Sequence, residues 1–209
     1  MQLSLRGAWV AMGVLALTFA ATPARADVIL LDGNVPQIDE NVLLAAAGTG
    51  DPIFGLTNQT GLAVEFNSNE TVTSPSSGQA RIEALDQTLS QLAISVVGGS
   101  FTSLIFNLNA LTTGTVNFTA MDTQGDAFNF SRTVTGGGQN FFTFVAINGQ
   151  QIDLLSLATV APLTIADIRQ VRIGGAAADN FVVPEPSALL LTGMGLAAVS
   201  FRRRKYQRR

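Results

Sequence analysis

Short runs of alternating apolar and polar residues fill the middle of the chain. Residues 115–120 place Val116, Phe118 and Ala120 on one face, and residues 128–134 repeat the pattern through Phe128, Phe130 and Val134, with Arg132 intruding on the apolar face. A period of two is the mark of a strand with one buried face. Between these runs, 122–126 reads Asp-Thr-Gln-Gly-Asp, a turn composition, so the pair predicts a β-hairpin. Residues 79–84 alternate Ala80, Ile82 and Ala84 against Arg81 and Glu83. Further strands are predicted at 27–31, 62–66, 92–97, 101–108, 141–147, 152–157 and 170–173. Phe141 and Phe142 would point to opposite faces, leaving one of them towards solvent. Glycines punctuate the series at 98–99, 136–138, 149 and 174–175. Helical periodicity is scarce; only 36–47 and 84–92 would accommodate a short helix. About ten short strands joined by Gly, Asn and Asp turns predict an all-β domain over 27–182, an antiparallel sandwich of two sheets.

Two longer apolar blocks lie at the ends of the chain. Residues 1–26 have the three parts of a secretory signal: Arg6 near a positive start, an apolar run over 8–21, and Ala24-Arg25-Ala26 after Pro23. Signal peptidase accepts small side chains at −1 and −3, here Ala26 and Ala24, which predicts export through the Sec machinery and a cut before Asp27. At the other end, Val183-Pro184-Glu185-Pro186-Ser187 precedes an apolar run over 188–201 and the basic cluster Arg202, Arg203, Arg204 and Lys205. The prolines keep the motif extended. As a helix, the 14 residues of this run reach about 21 Å, short of a hydrocarbon core of about 30 Å. Snorkelling arginines and local thinning of the bilayer are expected to cover the difference and give one transmembrane helix. The basic end stays in the cytoplasm, placing the domain outside.

A Pro-Glu-Pro motif, a short membrane helix and a terminal basic cluster, in that order, resemble the PEP-CTERM sorting signal, here over 183–209 with Pro184, Glu185 and Pro186 as the signature. The resemblance implies a Gram-negative bacterium that makes extracellular polysaccharide, recognition of the tail by an exosortase, and its loss from the mature protein. It implies an inner-membrane stage followed by display on the cell surface or in the matrix. The central domain is similar in its arrangement to the jelly-roll domains that commonly precede such tails and share their shape with carbohydrate-binding modules.

Charge and composition narrow the chemistry. Four arginines face fourteen carboxylates over 27–183, while the last eight residues hold six cations and no acid. So acidic a body excludes a nucleic-acid partner, which needs a basic face. With no Cys and no His, disulfides, a Ser-His-Asp triad, a Cys-His dyad and ordinary zinc sites are impossible. Carboxylates are plentiful enough for a glycosidase pair, but nothing singles out two of them, and Trp and Tyr are absent from 27–182. The expectation is a non-enzyme: a structural or adhesive surface component associated with exopolysaccharide, with a glycan-binding module as the alternative.

The remaining candidates are weak motifs. Gly48-Thr49-Gly50 lacks the lysine and following helix of a phosphate loop and reads as a turn. Asn58, Asn69, Asn117 and Asn129 head N-x-S/T triplets that suit strands and turns. Asp32, Asn34, Asp39 and Glu40 near the start of the domain, with Asp179 and Asn180 near its end, are hard oxygen donors of the type that holds a structural calcium, or else solvate loops.

Overall fold

The computed structural model describes residues 27–178, and every regular element among them is a strand. In chain order these are β1 (Asp27–Asp32), β2 (Asp39–Leu44), β3 (Gly48–Gly50), β4 (Ile53–Thr57), β5 (Ala63–Asn67), β6 (Val72–Ser74), β7 (Gly78–Gln79), β8 (Arg81–Ala84) and β9 (Gln91–Val96). They continue as β10 (Gly99–Ser100), β11 (Ser103–Ala110), β12 (Gly114–Asp122), β13 (Ala127–Val134), β14 (Gln139–Ile147), β15 (Ile152–Val160), β16 (Ile165–Gly174) and β17 (Ala177–Ala178). All pairings are antiparallel.

Two sheets share the core. The first runs β1-β14-β11-β16; β8 and the first half of β2 lie along the far edge of β16, and β6 and β3 continue beyond β8. The second runs β7-β2-β4-β5-β9-β15-β12-β13, with β10 and β17 as a separate ribbon. β2 belongs to both: Asn41 pairs with Arg172 of the first sheet, and Val42 with Thr57 of the second. Such a change of sheet makes a corner. A second corner falls at buried Ala80, where the run predicted as one strand over 79–84 divides into β7 in the second sheet and β8 in the first. At the opposite side, Arg132 of β13 reaches Asp32 of β1 at 2.9 Å, so the arginine that breaks the apolar face of β13 ties the two open edges together.

Phenylalanines from both sheets interlock in the core. The ring of Phe118 lies 4.9 Å from Phe142 and 5.2 Å from Phe144, and Phe130 lies 5.7 Å from Phe144. Tilted and edge-on contacts at these separations suit the ring quadrupoles. The predicted hairpin is present, with Met121 opposite Ala127. Its turn is held by Asp122, whose Oδ1 accepts the N–H groups of Gln124 and Asp126 at 2.8 Å each.

Some expectations need correction. Residues 36–47 contain β2 rather than a helix, and 84–92 form a turn followed by a bridge at Leu89. Gly48–Gly50 is a short strand on β6, not a turn. β16 is ten residues long, where only 170–173 is predicted. Two bulges explain the shortfall: the register slips between Ile105 and Asn107 and again between Asn109 and Ala110. The inward residues Ile165, Ile168, Val171 and Ile173 therefore break the period of two. Of the phenylalanine pair, Phe142 is buried and Phe141 half-buried on the outer face.

Candidate functional site

The link from β1 to β2 must cross the outer face of the first sheet, because its ends lie on opposite sides of β14, β11 and β16. Residues 33–38 make this crossing. Val35 N–H donates to the Thr143 hydroxyl at 3.1 Å, which itself donates to the Gly33 carbonyl at 2.8 Å. Asn34 accepts from Arg172. Thr143 and Ile105 are fully buried, although both lie outside the shared core. A Cβ on Gly174 would stand 2.5 Å from the Ile38 carbonyl oxygen, so the crossing chain needs glycine at that position.

Two rows of side chains remain open beside the crossing. Register places Phe141, Asn107, Arg169 and Arg81 in one row across β14, β11, β16 and β8. The neighbouring row is Gln139, Asn109, Asp167, Glu83, Thr73 and Thr49. Arg169 and Arg81 stand directly opposite one another. Like charges in that position repel, and Asp167 compensates for both. Its carboxylate is fully buried, 3.2 Å from Arg81 Nη2 and 3.3 Å from Arg169 Nε, and it accepts from Asn109 Nδ2 at 2.9 Å. Arg81 also meets Glu83 at 2.6 Å. The side chains of Arg81 and Arg169 are 44% and 32% exposed, so their outer nitrogens face solvent. Asn107 is fully buried; its Nδ2 makes one long bond, 3.4 Å to Gln170, and its Oδ1 has no partner. Gln170 has a φ of 56°, and this bulge turns both Arg169 and Arg172 outward. The result is a flat, open band of donors and acceptors with Phe141 at one end.

The residues singled out from the sequence fall elsewhere. Ala24, Ala26, Pro184, Glu185, Pro186, Arg202, Arg203, Arg204, Lys205, Asp179 and Asn180 lie outside the described residues. Asp27 opens β1, opposite Ile147. Asp32 is bound to Arg132, and Asp39 faces Arg172 Nη1 at 3.7 Å. Glu40 holds the turn between β4 and β5: Oε2 accepts the N–H groups of Gln59 and Thr60 at 2.7 and 2.9 Å, and Oε1 accepts the Thr60 hydroxyl at 2.6 Å. Burial pushes the Glu40 pKa up, but the hydroxyl and N–H of Thr60 and the N–H of Gln59 together hold it below the ordinary 4.5. Asp32, Asp39 and Glu40 thus each have an arginine or a turn as partner, and among the described residues no three acidic side chains gather. The open rows carry no sequence motif. Of their arginines, Arg81 falls in the alternating run 79–84, while Arg169 lies just outside the strand predicted over 170–173.

Residues 182–205 match the family model of the PEP-CTERM protein-sorting motif. The C-terminal tail therefore carries this sorting motif, and such a tail implies an exported protein. No curated protein matches the chain. Among solved structures, CBM29_1, a family 29 carbohydrate binding module from Piromyces equi, aligns with 75% of this chain and 96% of its own at 11% identity and a TM-score of 0.31. A CBM29-2 mutant complexed with cellulohexaose aligns with 73% of this chain and 90% of its own at 14% identity and a TM-score of 0.28. The enzymatically active domain of bacteriophage CBA120 tailspike protein 4 aligns with 72% of this chain but 19% of its own, at 14% identity and a TM-score of 0.29. Scores this low carry no argument about this chain; its all-β fold rests on its own strands.

Proposed function

We propose that this chain is an exported protein that reaches the cell surface or extracellular matrix through its tail, and that the jelly-roll-like domain over 27–182 is the displayed part. Residues 1–26 direct export and are removed, leaving Asp27 as the new N-terminus. Residues 183–209 then hold the protein in the inner membrane until an exosortase cuts near Pro184-Glu185-Pro186. In the matrix the domain acts as a structural or adhesive component associated with exopolysaccharide. The observation that carries this reading is the sorting motif at 182–205, placed directly behind a domain whose last described strand ends at Ala178. A β-domain with its own interlocked core suits that role. Mass spectrometry of the mature protein from fractionated cells tests it. The expected termini are Asp27 and a residue near the Pro-Glu-Pro motif; an intact N-terminus or an intact tail on the surface form overturns the reading.

The open rows favour a second, more specific reading, in which the domain is a glycan-binding module. Its supports are the density of amide, carboxylate and guanidinium groups on one uncovered face and the half-buried ring of Phe141 beside them. Polar groups that fix orientation beside an apolar surface are the general composition of a ligand site.

A further inference from the structure

We propose that the two open rows on the first sheet form a track for a neutral polysaccharide chain, an inference that rests on the glycan-binding reading above. Charge decides between neutral and acidic ligands. Three guanidinium groups reach this face, those of Arg81, Arg169 and Arg172, and three carboxylates answer them, those of Glu83, Asp167 and Asp39. The face therefore offers no net positive charge. The rest of the described domain holds one arginine, Arg132, and ten carboxylates. A polyanion approaching the rows gains nothing from the face and is repelled by the body. A polyol escapes that repulsion and still finds donors and acceptors in alternation: Arg81 and Arg169 donate, Glu83 accepts, and Asn109, Gln139 and the threonines do both.

Length and openness point the same way. The longer row crosses six strands, a width of about 24 Å at the usual strand spacing. Beside the crossing at 33–38 the face leaves Gln139, Arg81 and Thr49 exposed, which fits an extended chain lying across the strands. Two features of the neighbouring, shorter row are left unsatisfied by the protein. Asn107 Oδ1 is buried with no partner, which leaves its desolvation uncompensated. The outer nitrogens of Arg169 make no hydrogen bond among the described residues. Gln170 is exposed and touches Asn107 only at 3.4 Å, so a sugar hydroxyl can take its place. Phe141, adjacent to Asn107 in the same row, supplies an apolar surface for the face of a sugar ring.

The test uses the processed protein recovered from the producing cells, together with the extracellular polysaccharide of those cells separated by anion exchange into neutral and acidic pools. Affinity electrophoresis through gels containing each pool is expected to show retardation by the neutral pool, unchanged between low and high salt. Arg169→Ala and Phe141→Ala should each weaken that retardation about tenfold, as loss of one charged hydrogen bond or one apolar platform does, without lowering the melting temperature enough to unfold the protein. Thr133→Ala, on the outer face of the other sheet, should leave it unchanged. Retardation by the acidic pool alone, abolished by salt, overturns the neutral track and leaves glycan binding standing. Neutral-pool binding that survives both Arg169→Ala and Phe141→Ala places the site elsewhere and also overturns it. Retardation by neither pool removes the glycan-binding reading itself.

Discussion

Glu40 shows how a residue that looks like a ligand in the sequence is used for folding. Its carboxylate accepts three hydrogen bonds from the turn that follows β4, and its pKa is held below the ordinary value. A depressed carboxylate pKa adds stability that is fully present above the unfolded value and is lost as pH falls through the folded one. Glu40→Gln should lower stability by about 1.5–3 kcal/mol at neutral pH, the range for hydrogen bonds to a charged group. The gap in melting temperature between variant and parent should then close as pH drops below the ordinary 4.5. A gap independent of pH would show that the charge does not matter to the turn. Gln170 works differently, through its backbone. Its φ of 56° disfavours β-branched side chains, so Gln170→Val should destabilise by about 1–2 kcal/mol, read from denaturant midpoints, while Gln170→Gly should not.

At the scale of elements, what the sequence reveals depends on how regular each strand is. β12 and β9 alternate without interruption, β13 does so apart from Arg132, and all three face the core on one side, so their pattern predicts them within a few residues. β16 is half hidden because its two bulges shift the inward residues off the period of two. β4 is hidden for another reason. It turns Phe54 and Leu56 to solvent and Gly55 inward, where a Cβ would stand 2.7 Å from Val42. β2 changes sheets midway, so its apolar residues imitate a short amphipathic helix. The candidate face is less visible still: Arg81 and Arg169 meet only because two distant strands pair, and no local pattern carries that register. The element-level prediction concerns the core. Phe118 touches Phe106, Phe142 and Phe144 of the opposite sheet. Phe118→Ala should cost about 3–5 kcal/mol, the usual range for a buried Phe. Loss of the cooperative transition seen by circular dichroism would check it. A change under 1 kcal/mol, within the general range for surface sites, would contradict the two-sheet core.

For the whole molecule, charge and order along the chain govern behaviour. The two early aspartates that suit calcium are occupied by Arg132 and Arg172, so a cation would have to displace a guanidinium group to bind there. The melting temperature is therefore expected to be the same in excess chelator and in excess calcium. A rise with calcium would show that a cation binds the domain in spite of these ion pairs. The sorting motif at 182–205 follows the acidic body and takes in the basic cluster 202–205. Glu185 is the only charge between Asp179 and Arg202, and on the function proposed above it is the handle by which a membrane-embedded enzyme recognises the Pro-Glu-Pro motif. The most direct test of this account is the size and location of a Glu185→Ala variant in the producing cells, followed by immunoblot of fractionated membranes and medium. The apolar run over 188–201 and the basic flank are untouched, so insertion should persist while processing stops, and a full-length, membrane-held form should accumulate. A variant cut and displayed like the parent would contradict the account and reduce the tail to a simple anchor.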